Sequence, residues 1–473
     1  IENIRSVLYQ NNDYRKKFLN KVGHRIYDGY SKGKKEEWIK VGMLGAGRQV
    51  GRSCILVQTP ESNVLLDCGI NPGIDAGPGS YPILDAPEFK LSDLDAVILS
   101  HAHMDHCGFI PFLYKMGFRG PVYATEPTRD ISALSSLDAI GVSFKQAKKN
   151  LFDIQDVKEM VKHTITLNWE EVTDITPDMR LTLYNSGHIL GSSMIHLNVG
   201  NGSHNFLYTG DMKYLKTRDL DPAATKFPRL ETVMIESTYG DKNAVLGSRK
   251  KAEERLVEVV EETVKKKGKI LIPVLGVGRA QELLLVIESA IREGRMKKLP
   301  VYVQGMVWDI TGIHTAYPDF LNKDLRRSIF HKDQNPFLSD VFKKVGSRKE
   351  QDAIMESNES CIIVATAGML NAGASLEYFK RMADNAKNSM IFVTYQGAGT
   401  LGRRIQDGER KIIFSDDGKA SEVEVKLNLE IITDFTGHAG RTELMQFVKD
   451  LNPRPRKILV QHGESSKCID LAS

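Results

Sequence analysis

The chain has 473 residues, 41% hydrophobic and 26% charged, the composition of a globular protein with room for two or three domains. A net charge of +4 does not by itself argue for nucleic acid, and no apolar run approaches the ~20 residues of a membrane helix. Five cysteines without a CxxC pair exclude a disulfide framework and point to a reducing, cytoplasmic setting.

Residues 1–38 read as one or two helices with eight basic residues between Arg15 and Lys35, most simply a solvated face. No signal peptide is evident. The chain starts without Met and stops in what reads as the first turn of a helix, so both ends read as cut and flanking domains are expected. From Trp38, "WIKVGML", "SCILVQT", "NVLLDCG" and "LDAVILS" are short strands of a β-rich layer. Between the first two, "MLGAGRQVGRS" imitates a dinucleotide fingerprint. Its glycine spacing is one residue too long and a strand follows it, so it reads as a hairpin turn. Residues 128–162 are helical in pattern, and strands return in "MRLTLYNSG", "SMIHLNVG", "HNFLYTGD" and "TVMIEST".

After Gly240 the texture changes. The stretch "SRKKAEERLVEVVEETVKKKG" puts Leu256, Val259 and Val260 on one helical face, with Gly268 as its terminator. Strands "KILIPV", "VYVQGM", "CIIVATA" and "MIFVTYQ" alternate with helices, which implies a parallel sheet with crossover helices. From about Val423 the β-rich texture resumes. The expected division is a basic segment at 1–38, a β-rich domain at 39–240 and 423–473, and an α/β insert at 241–422.

Chemistry concentrates in "HAHMDH". Three histidines and an aspartate fall within six residues, His101, His103, Asp105 and His106, directly after a buried strand. Imidazole and carboxylate without thiolate suit a zinc site that keeps a position open for water. His101 and His103 are two apart and can point the same way from an extended segment, while Asp105 and His106 lie around the following turn. One turn cannot complete two metal shells. Further ligand types stand immediately after other strands: His188 in "NSGHIL", Asp211 in "YTGDMK" and His462 in "VQHGE".

Asp67, the HAHMDH run, His188 and Asp211 resemble, in order, the four motifs of the metallo-β-lactamase fold. Glu236 in "IESTYG", His438 in "FTGHAG" and His462 resemble motifs A, B and C of the β-CASP nucleases, most closely archaeal homologues of the cleavage and polyadenylation specificity factor nuclease. The resemblance implies a metallo-β-lactamase αββα sandwich interrupted by a β-CASP α/β domain. It also implies two Zn2+ per chain, one held by His101, His103, His188 and Asp211, the other by Asp105, His106, His462 and the bridging Asp211. Asp67 would support the ligands from behind. Two zincs can present a hydroxide and polarise a phosphoryl oxygen. His438 is then free to protonate a leaving 3′ oxygen, with Glu236 orienting it.

The resemblance further implies a ribonuclease acting on single-stranded RNA, because RNA-acting members carry His at motif C. Such relatives often have upstream KH domains and, where a C-terminal tail is present, form homodimers. A DNA nuclease, a small-molecule hydrolase and a non-catalytic scaffold are the alternatives. Glycine-rich strand–helix turns offer weaker phosphate-binding candidates, Gly278 with Arg279, Gly368, and Gly402 with Arg403, for which simple chain reversal is an equal reading. Ala367, Gln304 and Gln49 stand where archaeal relatives usually carry Ser, Asp and Glu. The first change removes a hydroxyl that could hold phosphate.

Overall fold

The computed structural model describes residues 16–17, 19–20, 22–24, 38–71, 77–145, 149–244, 246–397, 399–416 and 419–473. Of the eight basic residues between Arg15 and Lys35, Lys16 and Lys17 are helical and exposed; the other six lie outside the described residues. Two compact units are present. Residues 1–216, 222–245 and 438–473 form the first, and 217–221 with 246–437 form the second.

The first unit is built on two six-stranded sheets. One takes β1 (Lys40–Met43), β2 (Ile55–Gln58), β3 (Asn63–Leu66), β4 (Ala96–Ile98), β5 (Val122–Ala124) and β6 (Thr164–Thr166) in chain order. The connection from β1 to β2 closes an antiparallel pair without a helix, so the glycine-rich "MLGAGRQVGRS" does turn a hairpin. The other sheet takes β7 (Val172–Thr176), β8 (Met179–Asn185), β9 (Ser193–Val199), β10 (His204–Tyr208) and β11 (Thr232–Glu236), with strand Lys457–Gln461 on its far edge, parallel to β11.

Alternation along the strands decides what each face buries. Ile55, Val57, Val64 and Leu66 share a core with Leu181, Leu183, Ile195 and Phe206, which packs the sheets face to face. The opposite residues of the first sheet, Leu56, Leu65 and Val97, meet Ile110, Leu113, Val157 and Met160 from helices Ile110–Lys115 and Ile154–His163. Those of the second, Met194, Leu207 and Val233, meet Leu444 and Phe447 of helix Arg441–Asp450. Helix, sheet, sheet, helix is the resulting layer order, as expected.

The second unit holds β12 (Ile270–Pro273), β13 (Val301–Gln304), β14 (Phe342–Val345), β15 (Ile362–Ala365) and β16 (Ser389–Phe392). A hairpin of β17 (Lys411–Asp416) and β18 (Lys419–Glu424) follows, then β19 (Asn428–Ile431). The sheet order is β14-β13-β15-β12-β16-β19, with every pair parallel. Leu256, Val259 and Val260 pack on one of its faces with Leu283 and Leu284, and Tyr378, Phe379 and Met382 on the other. The chain then returns to the first unit with β20 (Lys457–Gln461).

Two local expectations differ from what is observed. Residues 428–431 were placed in the returning β-rich domain, but β19 pairs with β16 at the edge of the insert's sheet. A four-residue strand carries no record of its partner. Gly268 also does not terminate its helix by its own conformation. Lys267 takes the left-handed turn (φ 58°), while Gly268 is needed because a Cβ there would stand 1.9 Å from the Lys387 carbonyl oxygen.

Candidate metal centre

The HAHMDH run leaves β4 in extended conformation through His103, and Met104–Cys107 then form one helical turn. The segments before β2 and after β3 lie against that turn. The Ser53 N–H donates to the Asp105 carbonyl, the Cys68 N–H to that of His106 and the Ile70 N–H to that of Met104. Gly69 permits this approach, since a Cβ there would meet the Asp105 oxygen at 1.8 Å. His188 and Asp211 arrive from the loops after β8 and β10, and His462 from the end of β20.

All seven residues come together. Ligand atoms of His101, His103, His188 and Asp211 lie within 4.8 Å of one another, as do those of Asp105, His106, Asp211 and His462. Within the first group, Asp211 Oδ2 is 3.6 Å from His101 Nε2 and 3.7 Å from His188 Nε2. Within the second, His462 Nε2 is 3.4 Å from Asp211 Oδ1 and 3.7 Å from Asp105 Oδ2, and His106 Nε2 is 3.4 Å from Asp211 Oδ2. Atoms bound tetrahedrally to one ion at about 2.0–2.2 Å stand roughly 3.3–3.6 Å apart, so the spacing suits a zinc-sized cation in each group. Buried His101 Nε2, His462 Nε2 and Asp211 Oδ1 have no hydrogen-bond partner, which is costly for polar atoms unless a cation satisfies them. The donor set fits divalent metal.

The groups behind the ligands fix their lone pairs. Asp67, fully buried in a left-handed conformation (φ 59°), accepts from Ser100 N (2.7 Å), Ser100 Oγ (2.8 Å), Tyr208 OH (2.8 Å) and His106 Nδ1 (2.7 Å). His106 therefore carries its proton on Nδ1 and turns its Nε2 lone pair inward, with Ser53 Oγ 3.4 Å away. Ser100 Oγ, whose hydrogen goes to Asp67, lies 3.0 Å from His101 Nδ1 and so accepts from it, which assigns the same tautomer to that ring; Ser53 Oγ lies 3.0 Å from His462 Nδ1. Burial lowers the pKa of His101 and brings His103 down to about 4, so both stay neutral, the form that donates a lone pair. Asp211 is the reverse case. Burial opposes its charge, but the surrounding imidazoles outweigh that and hold the carboxyl well below its ordinary range.

Next to these groups, Asp211, Glu236 and His438 form a third convergence. Glu236 ends β11, is fully buried, and accepts the Met212 N–H through Oε1 (2.7 Å) and His438 Nδ1 through Oε2 (3.0 Å). Burial works against a charged His438, yet the Glu236 and Asp211 carboxylates prevail and raise its pKa to about 9. His438 is thus held as an imidazolium, with Nδ1 on Glu236.

The candidates in the insert are placed differently. The Gly278 N–H is taken by Gln281 Oε1 (2.8 Å), and Arg279 is 7% exposed with its guanidinium on Glu282 and the Phe435 carbonyl. Arg279 is therefore a buried ion-pair partner and not a free phosphate ligand. Gly368 and Gly402 meet around Gln396. Its Nε2 donates to the Gly368 carbonyl (2.9 Å), a Cβ at Gly402 would strike its Oε1, and the Gly402 N–H donates to the Met369 carbonyl (3.1 Å). Close packing accounts for both glycines. Arg403 is at the surface, paired with Asp407 at 3.0 Å. Sequence reading missed Ser53, Ser100, Tyr208 and Lys213. Ser, Tyr and Lys carry no metal-ligand signal, and only their placement reveals them.

The sequence matches a metallo-beta-lactamase superfamily domain over residues 56–237, a Beta-Casp domain over 280–405 and a Zn-dependent metallo-hydrolase RNA specificity domain over 422–473. It is 50% identical over 475 residues to a protein of Methanothermobacter thermautotrophicus named transcription termination factor FttA, covering all of this chain and 74% of that one. Proteins of the same name from Methanocaldococcus jannaschii and Thermococcus kodakarensis are each 48% identical, again over all of this chain and 74% of theirs. A crystal structure of a protein of unknown function from Enterococcus faecalis V583 shares the fold. Its TM-score is 0.55 at 13% identity, covering 92% of this chain and 96% of that one.

Proposed function

Because the chain belongs to the β-CASP family of the metallo-β-lactamase superfamily, we propose that it is a zinc-dependent ribonuclease. It cuts single-stranded RNA in 3′-end processing, transcription termination or decay. Two zinc ions would be held by His101, His103, His188 and Asp211, and by Asp105, His106, His462 and the shared Asp211. When bound, such a pair supplies a hydroxide nucleophile at neutral pH and polarises a phosphoryl oxygen.

The remaining chemistry belongs to the protein. Breaking the P–O3′ bond leaves an alkoxide that needs a proton, and His438 supplies it from Nε2 while Glu236 holds Nδ1. The ends left are 5′-phosphate and 3′-hydroxyl. The observation that carries the reading is this carboxylate-held imidazolium beside two complete ligand groups. A small-molecule hydrolase has no need of it. RNA is favoured over DNA by the RNA specificity domain match, the relatives' name and His462.

The test is cleavage of a 5′-labelled single-stranded RNA and the matching DNA with zinc supplied. Cuts in RNA alone, with 3′-hydroxyl ends, and a loss of about 10²–10⁴-fold in His438→Ala are expected. Cleavage of DNA with RNA spared overturns the substrate. No cleavage of either with both zincs bound turns the reading towards a scaffold.

A further inference from the structure

We propose that Lys213 is a positioning residue for the proton donor, tying the loop that carries His438 to the segment that carries Asp211; this rests on the proposed role of His438 as general acid. The Lys213 side chain is 3% exposed, and its ammonium lies outside both ligand groups. Its Nζ donates to the His438 carbonyl at 3.0 Å and to Glu443 Oε1 at 2.6 Å. Burying a cation is costly, and a purely structural slot is as well filled by an apolar side chain. What an ammonium adds is several donors from one point, here spent on the backbone of His438 itself and on the carboxylate that caps the next helix.

The contacts form a closed ring. Glu443 also accepts the Leu215 N–H (3.1 Å) and the Gly440 N–H (3.4 Å). The Ala439 N–H donates to the Met212 carbonyl at 2.7 Å. The Met212 N–H reaches Glu236 (2.7 Å), which holds His438 Nδ1 (3.0 Å). Thus the Asp211–Leu215 segment grips His438 twice, at the imidazole through Glu236 and at the carbonyl through Lys213. The first grip sets the proton; the second sets where the ring stands. Without the second, the ring drifts from the line of the leaving oxygen, and displacements on the scale of an ångström cost about 100-fold.

The experiment compares an RNA carrying one ordinary phosphodiester at the cleavage site with one whose 3′-bridging oxygen is sulfur. Breaking P–O3′ requires a proton from His438; breaking P–S releases a thiolate that leaves without one. His438→Ala serves as reference. Lys213→Met is tested together with the double variant Lys213→Met/Glu443→Gln, in which no unpaired buried charge remains to prevent folding. Zinc content and melting temperature confirm the fold.

The expected result is a fall in kcat of about 10- to 100-fold on the oxygen substrate with KM nearly unchanged, and recovery to near wild type on the sulfur substrate, as for His438→Ala. An equal loss on both substrates, or no loss on either, overturns the role of Lys213. Failure of the wild type to cleave RNA, or of sulfur to rescue His438→Ala, overturns instead the reading of His438 on which it rests.

Discussion

Asp67 shows how a residue that offers nothing to the ligand groups can still govern them. Three donors, Ser100 Oγ, Tyr208 OH and His106 Nδ1, converge on its Oδ2. In Asp67→Asn an amide nitrogen at that position would confront the His106 Nδ1–H, and the ring would relieve the clash by moving its proton to Nε2. That removes the lone pair aimed at the second group. The expected outcome is a 10- to 100-fold weaker affinity for one of two zinc ions with the first little changed, read by competition with a chelator of known affinity. Unchanged affinity for both ions would show that the tautomer is set elsewhere. The ligands themselves were legible because a metal site demands scarce residue types at strand ends. Their supports were not, because Ser, Tyr and Lys carry no metal-ligand signal even where, like Tyr208 and Lys213, they stand within three residues of Asp211.

Between elements of the second unit, buried charge does the joining. Residues 217–221 are held by an ion network in which Arg218 meets Glu253, and Arg249 and Arg279 both meet Glu282. Asp219 sits in it fully buried, with one carboxylate oxygen on Thr217 Oγ1 (2.7 Å) and the other without a partner. Burial, then the nearby Glu282 carboxylate, push its pKa to about 6. A folded pKa above the unfolded one means the native state prefers the protonated acid, so stability falls as pH rises from about 4 to 6 and stays lower above that. Asp219→Asn keeps the Thr217 contact and removes the like charge near Glu282. It should be neutral near pH 4 and stabilising by on the order of 2 kcal/mol at pH 7, measured by urea unfolding at both values. A destabilised variant at pH 7 would mean that the charge of Asp219 is needed by the arginines. None of this network was legible as structure. "GVGRAQEL" reads equally as an anion-binding turn, and only the burial of Arg279 against Glu282 decides it. The same limit explains β19, whose four residues fit either sheet by pattern.

On the scale of the whole molecule, the interrupted chain path puts the candidate site, and any stability a bound metal adds, in one of the two units. Every ligand atom of both groups, with Asp67, Glu236 and His438, comes from the first unit, although those residues span Asp67 to His462 in sequence. A cation bound there closes the β3–β4, β8–β9, β10 and β20 ends onto one another. A ligand binding only the native state stabilises it by RT ln(1 + [L]/Kd), about 4 kcal/mol at a thousandfold excess over Kd. That energy belongs to the unit that unfolds to release the ion. Amide hydrogen exchange followed by mass spectrometry, with zinc and after chelation, should therefore show strands β8 to β11 losing protection by two to three orders of magnitude in rate. Strands β12, β15 and β16 of the insert should change by less than about threefold. Equal loss in both units would mean they unfold as one cooperative body. Loss confined to the insert, or absent from β8 to β11, would mean that the clustered histidines and aspartates do not hold the ion whose ligands they otherwise match.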